Sequence, residues 1–503
     1  MSRRAKARSL RRQKREFLNN FTKALNLTGD DNDPVPTSKT TFRVLTDGFD
    51  NKSSRDEDSN RETFPSCGAT NSDNEPGHSE KASKEPGDMI TLLYYKGLQC
   101  VAEYMFSYLD AESLSAMEKV SKECKQMVME GLLWKKMLEK ACSKDSLMWL
   151  ICIKDGWSSF LFKPKSSSVC YELYKDLYIR VKHNRQQLIR NWRGEHGVRV
   201  RFKVRNVASN STSPCSHQVS CMYSSPEALV LGFSNGLIKI FETSTLKHMK
   251  TWRQREGVAC LKADSNVLIA ATTDHNLHVL DVNSGTLLKT LIYHSAPVTD
   301  LHFNEKWLIS CSKDKTLKVW CRITTANFVP AITLVDDLRQ GFNCLDFNNQ
   351  YVVAGSDDSS IKVWKMECWS KFGNLHGHED IVTCIQINDK YVVSGSLDGK
   401  VRVWYTAFGT CIRVLSYGWS VLCLRINNDY IVTGDHGLIC VWDFQAVLRP
   451  DKFSSDEHVF LQQITHQTGR IRGIFMDEFK IVSCSDDNTV MFSEFLFFDG
   501  LNE

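Results

Sequence analysis

The chain has 503 residues, a net charge of +4, 42% apolar and 24% charged residues, the balance of a globular protein with room for two or three domains. So small a charge over this length does not mark the whole chain as a nucleic-acid binder. No apolar run reaches the roughly 20 residues a membrane-spanning helix needs. The basic start also lacks the apolar stretch of a secretory signal, so a soluble protein of the cytoplasm and/or nucleus is expected, with no membrane partner.

Residues 1–88 are rich in Ser, Asp, Asn, Glu, Lys and Pro, a composition that buries too little surface to offset ordering entropy. Their basic stretch "SRRAKARSLRRQKR", residues 2–15, reads as a nuclear-import signal, a solvated tail or a weak nucleic-acid arm. Residues 89–140 turn helical. Leu114, Met117, Val120, Cys124 and Met127 recur at steps of three and four and predict one face of one helix. Asp110 is its expected N-cap and Gly131 its stop. "LLWKKML" starts a second helix, with Trp134 as the plug of a small core. Residues 141–193 are expected to continue as a helical linker. Its last part is a long helix carrying Leu173, Leu177, Ile179, Val181, Leu188 and Trp192, a stiff spacer of about 30 Å.

Residues 194–503 repeat. Seven segments align, starting at Leu229, Leu268, Leu308, Val352, Val392, Ile431 and Ile481, with steps of 39, 40, 44, 40, 39 and 50 residues. Each shows two alternating apolar strands around a turn of Asp, Gly, Asn or Ser, with a further short strand upstream. A period near 40 with Asp six residues before Trp is the WD-repeat signature. It is clean at Asp314/Trp320, Asp358/Trp364 and Asp398/Trp404, whereas Phe241, Leu280 and Ser493 stand where other units have Trp. His378, Ser394, Asp398 and Trp404 are read as a buried hydrogen-bonded set, not an acid–base pair or metal site. The fold class is therefore mainly β: a seven-bladed propeller behind a small all-α region. The last unit lacks a fourth strand, and "VRVRFKV", residues 198–204, can supply it.

The 18 cysteines form no CxxC pair and sit mostly in apolar runs such as "VTCIQI" and "VLCLRI". They read as reduced, buried thiols. Neither a metal nor a cofactor is expected. There is no P-loop, GxSxG or HExxH, so the chain is not expected to be an enzyme.

"YMFSYLDAESLSAMEKVSKECKQMVMEGLLWKKML" looks like an F-box. With a helical linker and WD repeats behind it, the chain resembles F-box/WD-repeat proteins of the β-transducin-repeat-containing type; "GWSSFLFKPK", "NWR" and "RIRGIFMDEFKIVS" are similar to that group. The resemblance covers residues 90–498. It implies a substrate receptor of a Skp–cullin–F-box ubiquitin ligase: the F-box docks on a Skp-type adaptor and, through it, the cullin–RING machinery, while the propeller holds a protein substrate for ubiquitination and proteasomal degradation. Leu109, Leu114, Val120, Leu133 and Trp134 would contact the adaptor or support that contact.

The departures bear on affinity. Tyrosines of "LLYYKGL" replace the usual Leu-Pro, and Cys124 replaces a Trp, which should cost docking about 1 kcal/mol. The family's phosphate-holding face carries over as Lys313, Asn343 and Arg470. Three of its Arg positions fall on Ser234, Asp380 and Leu422, two Tyr positions on Ser220 and His436, and a Leu position on Thr299. With Thr273 and Arg472, the candidate substrate contacts are Lys313, Asn343, Arg470, Arg472, Ser234 and Thr273. Losing several charged contacts at about 1.5–3 kcal/mol each implies a changed or unphosphorylated substrate, with Lys313, Arg470 and Arg472 left for a smaller anionic site. The alternative is a WD-repeat scaffold whose F-box no longer engages the ligase. Nucleic acid is not an expected partner.

Overall fold

The computed structural model describes residues 92–496 apart from 94, 131, 158–168, 196–198, 205–217, 244, 336–339, 417, 450–457 and 466. The segment 1–88 with its basic stretch and the Gly131 stop lie outside the described residues. The chain divides into a helical unit, up to Ala141 and again at 157 and 169–178, and a propeller unit, Cys142–Gly156 and from Ile179 onward. The stretch expected as a linker is thus shared between the two. Among the described residues no helix is long and apolar enough to cross a membrane.

The helical unit holds α1 (Gln99–Phe106), α2 (Ala111–Met117), α3 (Lys122–Glu130) and most of α4 (Leu133–Lys144). Asp110 caps α2, its Oδ1 accepting the Ser113 amide at 2.8 Å. The single helix expected from Leu114 to Met127 is instead two. Ser121 Oγ accepts the Cys124 amide at 3.1 Å and starts α3, a cap worth about 1 kcal/mol. Glu118, in the intervening turn, accepts the Trp134 indole N–H at 2.5 Å and pairs with Lys175. The turn swings Val120 out of the expected apolar face, leaving it 65% exposed, while Leu114, Cys124 and Met127 are buried. Trp134 does plug this core, 1% exposed and 5.6 Å from the Tyr178 ring.

In the propeller unit, Asp145 caps α5 (Ser146–Lys154) through the Leu147 amide at 2.9 Å and also pairs with Arg185, in the part of α6 (Val169–Trp192) that belongs to this unit from Ile179 onward. α6 has 24 residues, about 36 Å. The apolar residues named for it do not all face inward. Val181, Leu188 and Trp192 are buried, but Ile179 is 51% exposed, because a step of two from Val181 is more than half a helical turn. Trp192 lies between the Phe495 and Tyr430 rings, with centroids at 3.8 and 4.4 Å and near-parallel planes. Its indole donates to the Glu478 carbonyl at 3.1 Å, and Asn191 Nδ2 donates to the Phe495 carbonyl at 2.6 Å.

Seven four-stranded antiparallel sheets form the propeller. The innermost strands of blades 1 to 7 are Val219–Ser224, Val258–Ala263, Val298–Phe303, Phe342–Phe347, Val382–Ile387, Cys423–Ile426 and Ile471–Met476. Each contacts the next, and the seventh contacts the first. The missing strand of blade 7 is supplied as expected: Arg199–Val204 pairs antiparallel with Val490–Glu494. Closure of this kind leaves only short blade edges. Phe241, Leu280 and Ser493 occupy the register place of Trp, opposite Leu229, Leu268 and Ile481 as Trp404 lies opposite Val392.

A second repeat runs inside the first. Near the start of each innermost strand, one residue pairs with one on the neighbouring strand. The pairs are Cys221/Gly232, Cys260/Ala271, Asp300/Cys311, Cys344/Gly355, Cys384/Gly395, Cys423/Gly434 and Gly473/Cys484. Every blade thus carries one thiol there, and the partner of the thiol is small except in blade 3. The space is tight: a Cβ on Gly355 would lie 2.5 Å from Cys344 Sγ, and one on Gly395 2.7 Å from Cys384 Sγ. Burial pushes the thiols up, those of Cys221 and Cys384 to about 12.

Candidate functional site

At the upper end of the ring each innermost strand begins and each second strand turns into the third. A repeated backbone bond ties the two points together. The amides of Ser234, Thr273, Lys313, Asp357, Leu397 and Asp486 donate to the carbonyls of Gln218, Gly257, Pro297, Gly341, Ile381 and Arg470, all at 2.9–3.1 Å. One side chain in each of six blades is thereby set at the mouth of the ring; in blade 6 the Asp435 amide bonds the Leu438 carbonyl instead. Below it a polar set stiffens the turn. In blade 5, Trp404 Nε1 donates to Ser394 Oγ (2.9 Å), Ser394 Oγ bonds His378 Nε2 (2.8 Å), and His378 Nδ1 donates to Asp398 (2.9 Å). Burial keeps His378 below the ordinary histidine range despite Asp398. Burial alone would raise Asp398, but bonds from His378 and the Glu379 amide outweigh it and hold the carboxylate below its usual range.

The set varies between blades. Blade 3 keeps His294, with 2.7 Å bonds to Asp314 and Ser310. Blade 4 substitutes the buried Lys362, whose Nζ lies 3.0 Å from Asp358. In blade 7 Gln467 stands in for His, accepting from Ser483 Oγ at 2.9 Å and donating to Thr489 Oγ1 at 3.1 Å. These groups are consumed by the turns. Among the described residues no cluster of His, Cys, Asp or Glu is arranged to hold a metal ion.

Of the expected substrate contacts, the structure brings Lys313 and Asn343 together across the seam between blades 3 and 4, with an anion already in place. Lys313 Nζ bonds both Asp357 oxygens (2.8 and 2.7 Å) and Asn343 Oδ1, and Asn343 Nδ2 donates to Asp357 at 2.8 Å. Arg472 is likewise paired, 3.5 Å from Asp486. The backbone of Arg470 bonds Asp486 at 2.8 Å, but its guanidinium meets no acceptor among the described residues. Ser234 and Thr273 are exposed at the mouth of blades 1 and 2. Ser220 and Thr299 point their hydroxyls to the next blade's backbone, at Val258 (2.5 Å) and Phe342 (2.9 Å), so they lace blades together. Sequence reasoning missed Trp419, 63% exposed at the blade 6 mouth.

In the helical unit a cavity of about 220 Å³ is lined by Leu109, Leu114, Leu133, Phe106 and Met137, with Lys136 and Lys140 at its rim. Three of the five expected adaptor residues therefore share one hollow. Leu114, Leu133 and Trp134 are nearly fully buried, Leu109 is half-buried, and Val120 stands apart in solvent.

Blade number, ring closure and the polar sets define a WD-repeat β-propeller, the architecture of a protein-interaction scaffold. The family model described as WD domain, G-beta repeat matches residues 285–321, 335–365 and 369–405. The chain is similar to F-box and WD repeat domain-containing 11-A of Danio rerio, 33% identical over 173 residues, 34% of this chain and 29% of that protein. It is also similar to F-box/WD repeat-containing protein lin-23 of Caenorhabditis elegans, 31% identical over 165 residues, 28% of this chain and 24% of that protein. A third relative, Transcription initiation factor TFIID subunit 5 of Drosophila melanogaster, is 29% identical over 114 residues, 22% of this chain and 15% of that protein. The matches thus span less than a third of each relative's length.

Proposed function

We propose that this chain is the substrate-recognition subunit of a Skp–cullin–F-box ubiquitin ligase. The propeller mouth holds a target protein, and the helical unit docks on a Skp-type adaptor. The chain itself does no bond chemistry. It raises the effective concentration of substrate lysines beside a ubiquitin-loaded enzyme carried by other subunits. The observation that supports this reading is the pairing in one chain of a seven-bladed propeller with an upstream helical unit whose apolar hollow, lined by Leu109, Leu114 and Leu133, is left open. Similarity to two relatives named for an F-box with WD repeats supports it further.

Within the helical unit the five proposed residues divide their work. Val120 and Leu109 offer surface to the adaptor; Leu114, Leu133 and Trp134 position that surface from beneath. The test is capture of purified Skp-type adaptor by the full chain. Val120→Asp and Leu109→Asp are expected to cut capture at least tenfold while the melting temperature stays within about 2 °C. Undiminished capture by both variants removes Val120 and Leu109 from the contact; no capture by the parent chain removes the receptor reading. That last result leaves the second reading, a WD-repeat scaffold outside the ligase. That alternative is favoured by Cys124 in the place of Trp and by a relative that is a transcription-factor subunit.

A further inference from the structure

We propose that the seam between blades 5 and 6 is a subsite for an arginine side chain of an unphosphorylated segment, its guanidinium stacked on Trp419 and paired with Asp380. This deepens the reading above, on which it rests, by naming what the mouth of the propeller takes.

Four contacts make one patch of three residues from two blades. Ser396 Oγ donates to the Asp380 carbonyl at 2.9 Å, and the Ser396 carbonyl accepts the Val421 amide at 3.0 Å. Ser420 Oγ reaches the Leu397 carbonyl at 3.4 Å, and the Leu397 amide bonds the Ile381 carbonyl at 3.0 Å. These bonds tie the backbone segments that carry Asp380, Leu397 and Trp419 to one another. Gly399 turns the neighbouring loop at φ +73°, and a Cβ there would be in ordinary contact, 3.4 Å, with the Trp419 backbone, so the two loops lie within van der Waals reach.

The charges around the mouth select the ligand. Asp357 is satisfied by Lys313, Asp486 by Arg472, Asp398 by His378 and Glu379 by Lys400 at 2.5 Å. Among the described residues Asp380 has no such partner. Its Oδ1 accepts the neighbouring Ile381 amide at 2.7 Å, and among the described residues Oδ2 has no donor. Trp419, though 63% exposed, meets no ring or cation among the described residues. An unpaired carboxylate beside an uncovered indole, with the half-buried Leu397 between them, suits a planar cation with an apolar stem. Arginine fits better than lysine because it stacks with its face while donating from its edge. A phosphate or glutamate there meets Asp380 with like charge. The substrate class is therefore an unmodified, arginine-bearing segment, released when a residue beside that arginine is phosphorylated.

The test uses the full chain and pooled synthetic peptides in which one position is fixed as Arg, Lys, Ala, Glu or phosphoserine, with retention read on the immobilised protein. Arg-fixed pools should be retained about tenfold over Ala-fixed pools, Lys-fixed pools less, and Glu- and phosphoserine-fixed pools least. Asp380→Asn and Trp419→Ala should each abolish that Arg preference, Trp419→Phe should keep part of it, and Asp380→Arg should turn it toward Glu and phosphoserine. Both positions are exposed, so the variants should melt with the parent chain. Equal retention of Arg- and Ala-fixed pools, or an Arg preference that survives both Asp380→Asn and Trp419→Ala, overturns the proposal. If adaptor capture persists while the Arg preference is absent, this inference fails and the receptor reading stands; an Arg preference without adaptor capture does the reverse.

Discussion

Trp192→Ala should undock the C-terminal half of α6 from the propeller. The side chain is 1% exposed, stacked between Phe495 and Tyr430, and its indole N–H satisfies the Glu478 carbonyl. A buried Trp covers about 150–250 Å², so burial alone gives an upper figure of about 4–6 kcal/mol at about 25 cal/mol per Å². Measured Trp→Ala losses in cores run at about 3–5 kcal/mol. With about 4 kcal/mol lost and about 2 °C per kcal/mol for a large domain, the propeller transition should fall by about 8 °C. Hydrogen exchange of the full chain should show Ile179–Trp192 amides exchanging fast below that transition. Trp192→Phe keeps the stack and loses only the indole donor, so it should cost about 1–2 kcal/mol. A shift under about 2 °C for Trp192→Ala, with helix protection unchanged, would refute the idea that this stack anchors α6.

The remaining predictions concern charge and packing. His378 sits neutral below its ordinary range, so the unfolded chain takes up its proton first; stability from this site is complete above about pH 6.5 and declines as pH falls from there toward the folded-state value. His378→Gln, copying Gln467 of blade 7, should flatten the melting-temperature curve between pH 7 and 5, and a slope equal to the parent's would count against it. Asp398 and Asp487, the latter held at about 2, are depressed carboxylates, so their contribution is present above about pH 4 and is lost as pH falls toward 2. Acid melts of the Gln variant should therefore keep the Asp487 part of this slope below pH 4, since Thr468 and Thr489 rather than His378 hold that carboxylate. Gly395→Ala puts a Cβ 2.5 Å from Val421 and should cost about 1–3 kcal/mol in urea unfolding. The exchange Cys384→Gly with Gly395→Cys copies blade 7; it removes the 2.7 Å contact with Cys384 Sγ but not the Val421 contact, so it should recover only part of that loss, and a double-mutant cycle showing no coupling would rule this out. Asp357→Asn releases Lys313, and sulfate or a phosphopeptide, titrated calorimetrically, should then bind about tenfold tighter than to the parent; no gain would mean Lys313 is not the latent anion contact.

The propeller was legible because strand alternation and a forty-residue period are local properties, and so was the strand lent by residues 199–204. The break before Val120 was not. A period of three and four cannot register a Ser121 cap or the capture of Glu118 by Trp134, which lies 16 residues away. The mouth of the ring was legible only in position. Sequence placed Lys313 and Asn343 there, but Asp357 neutralises Lys313 from the next blade, 44 residues on, a distance set by ring geometry. Trp419 escaped notice because its loop, "SYGWSV", lacks the histidine that marks the same place in blades 3 and 5. The pairing of each thiol with a partner across the strand was written in the repeats, yet it needs the strand register to be seen.

The seventh sheet is stitched from two parts of the chain made at different times. Arg199–Val204 must wait for Val490–Glu494, about 290 residues later, which at 5–20 residues per second takes a ribosome roughly 15–60 s. Through that interval the nascent blades form an open crescent with a sticky strand at each tip. The newborn protein is therefore most exposed to chaperones, and to pairing with its own siblings on a polysome, just before its last sheet is laid down.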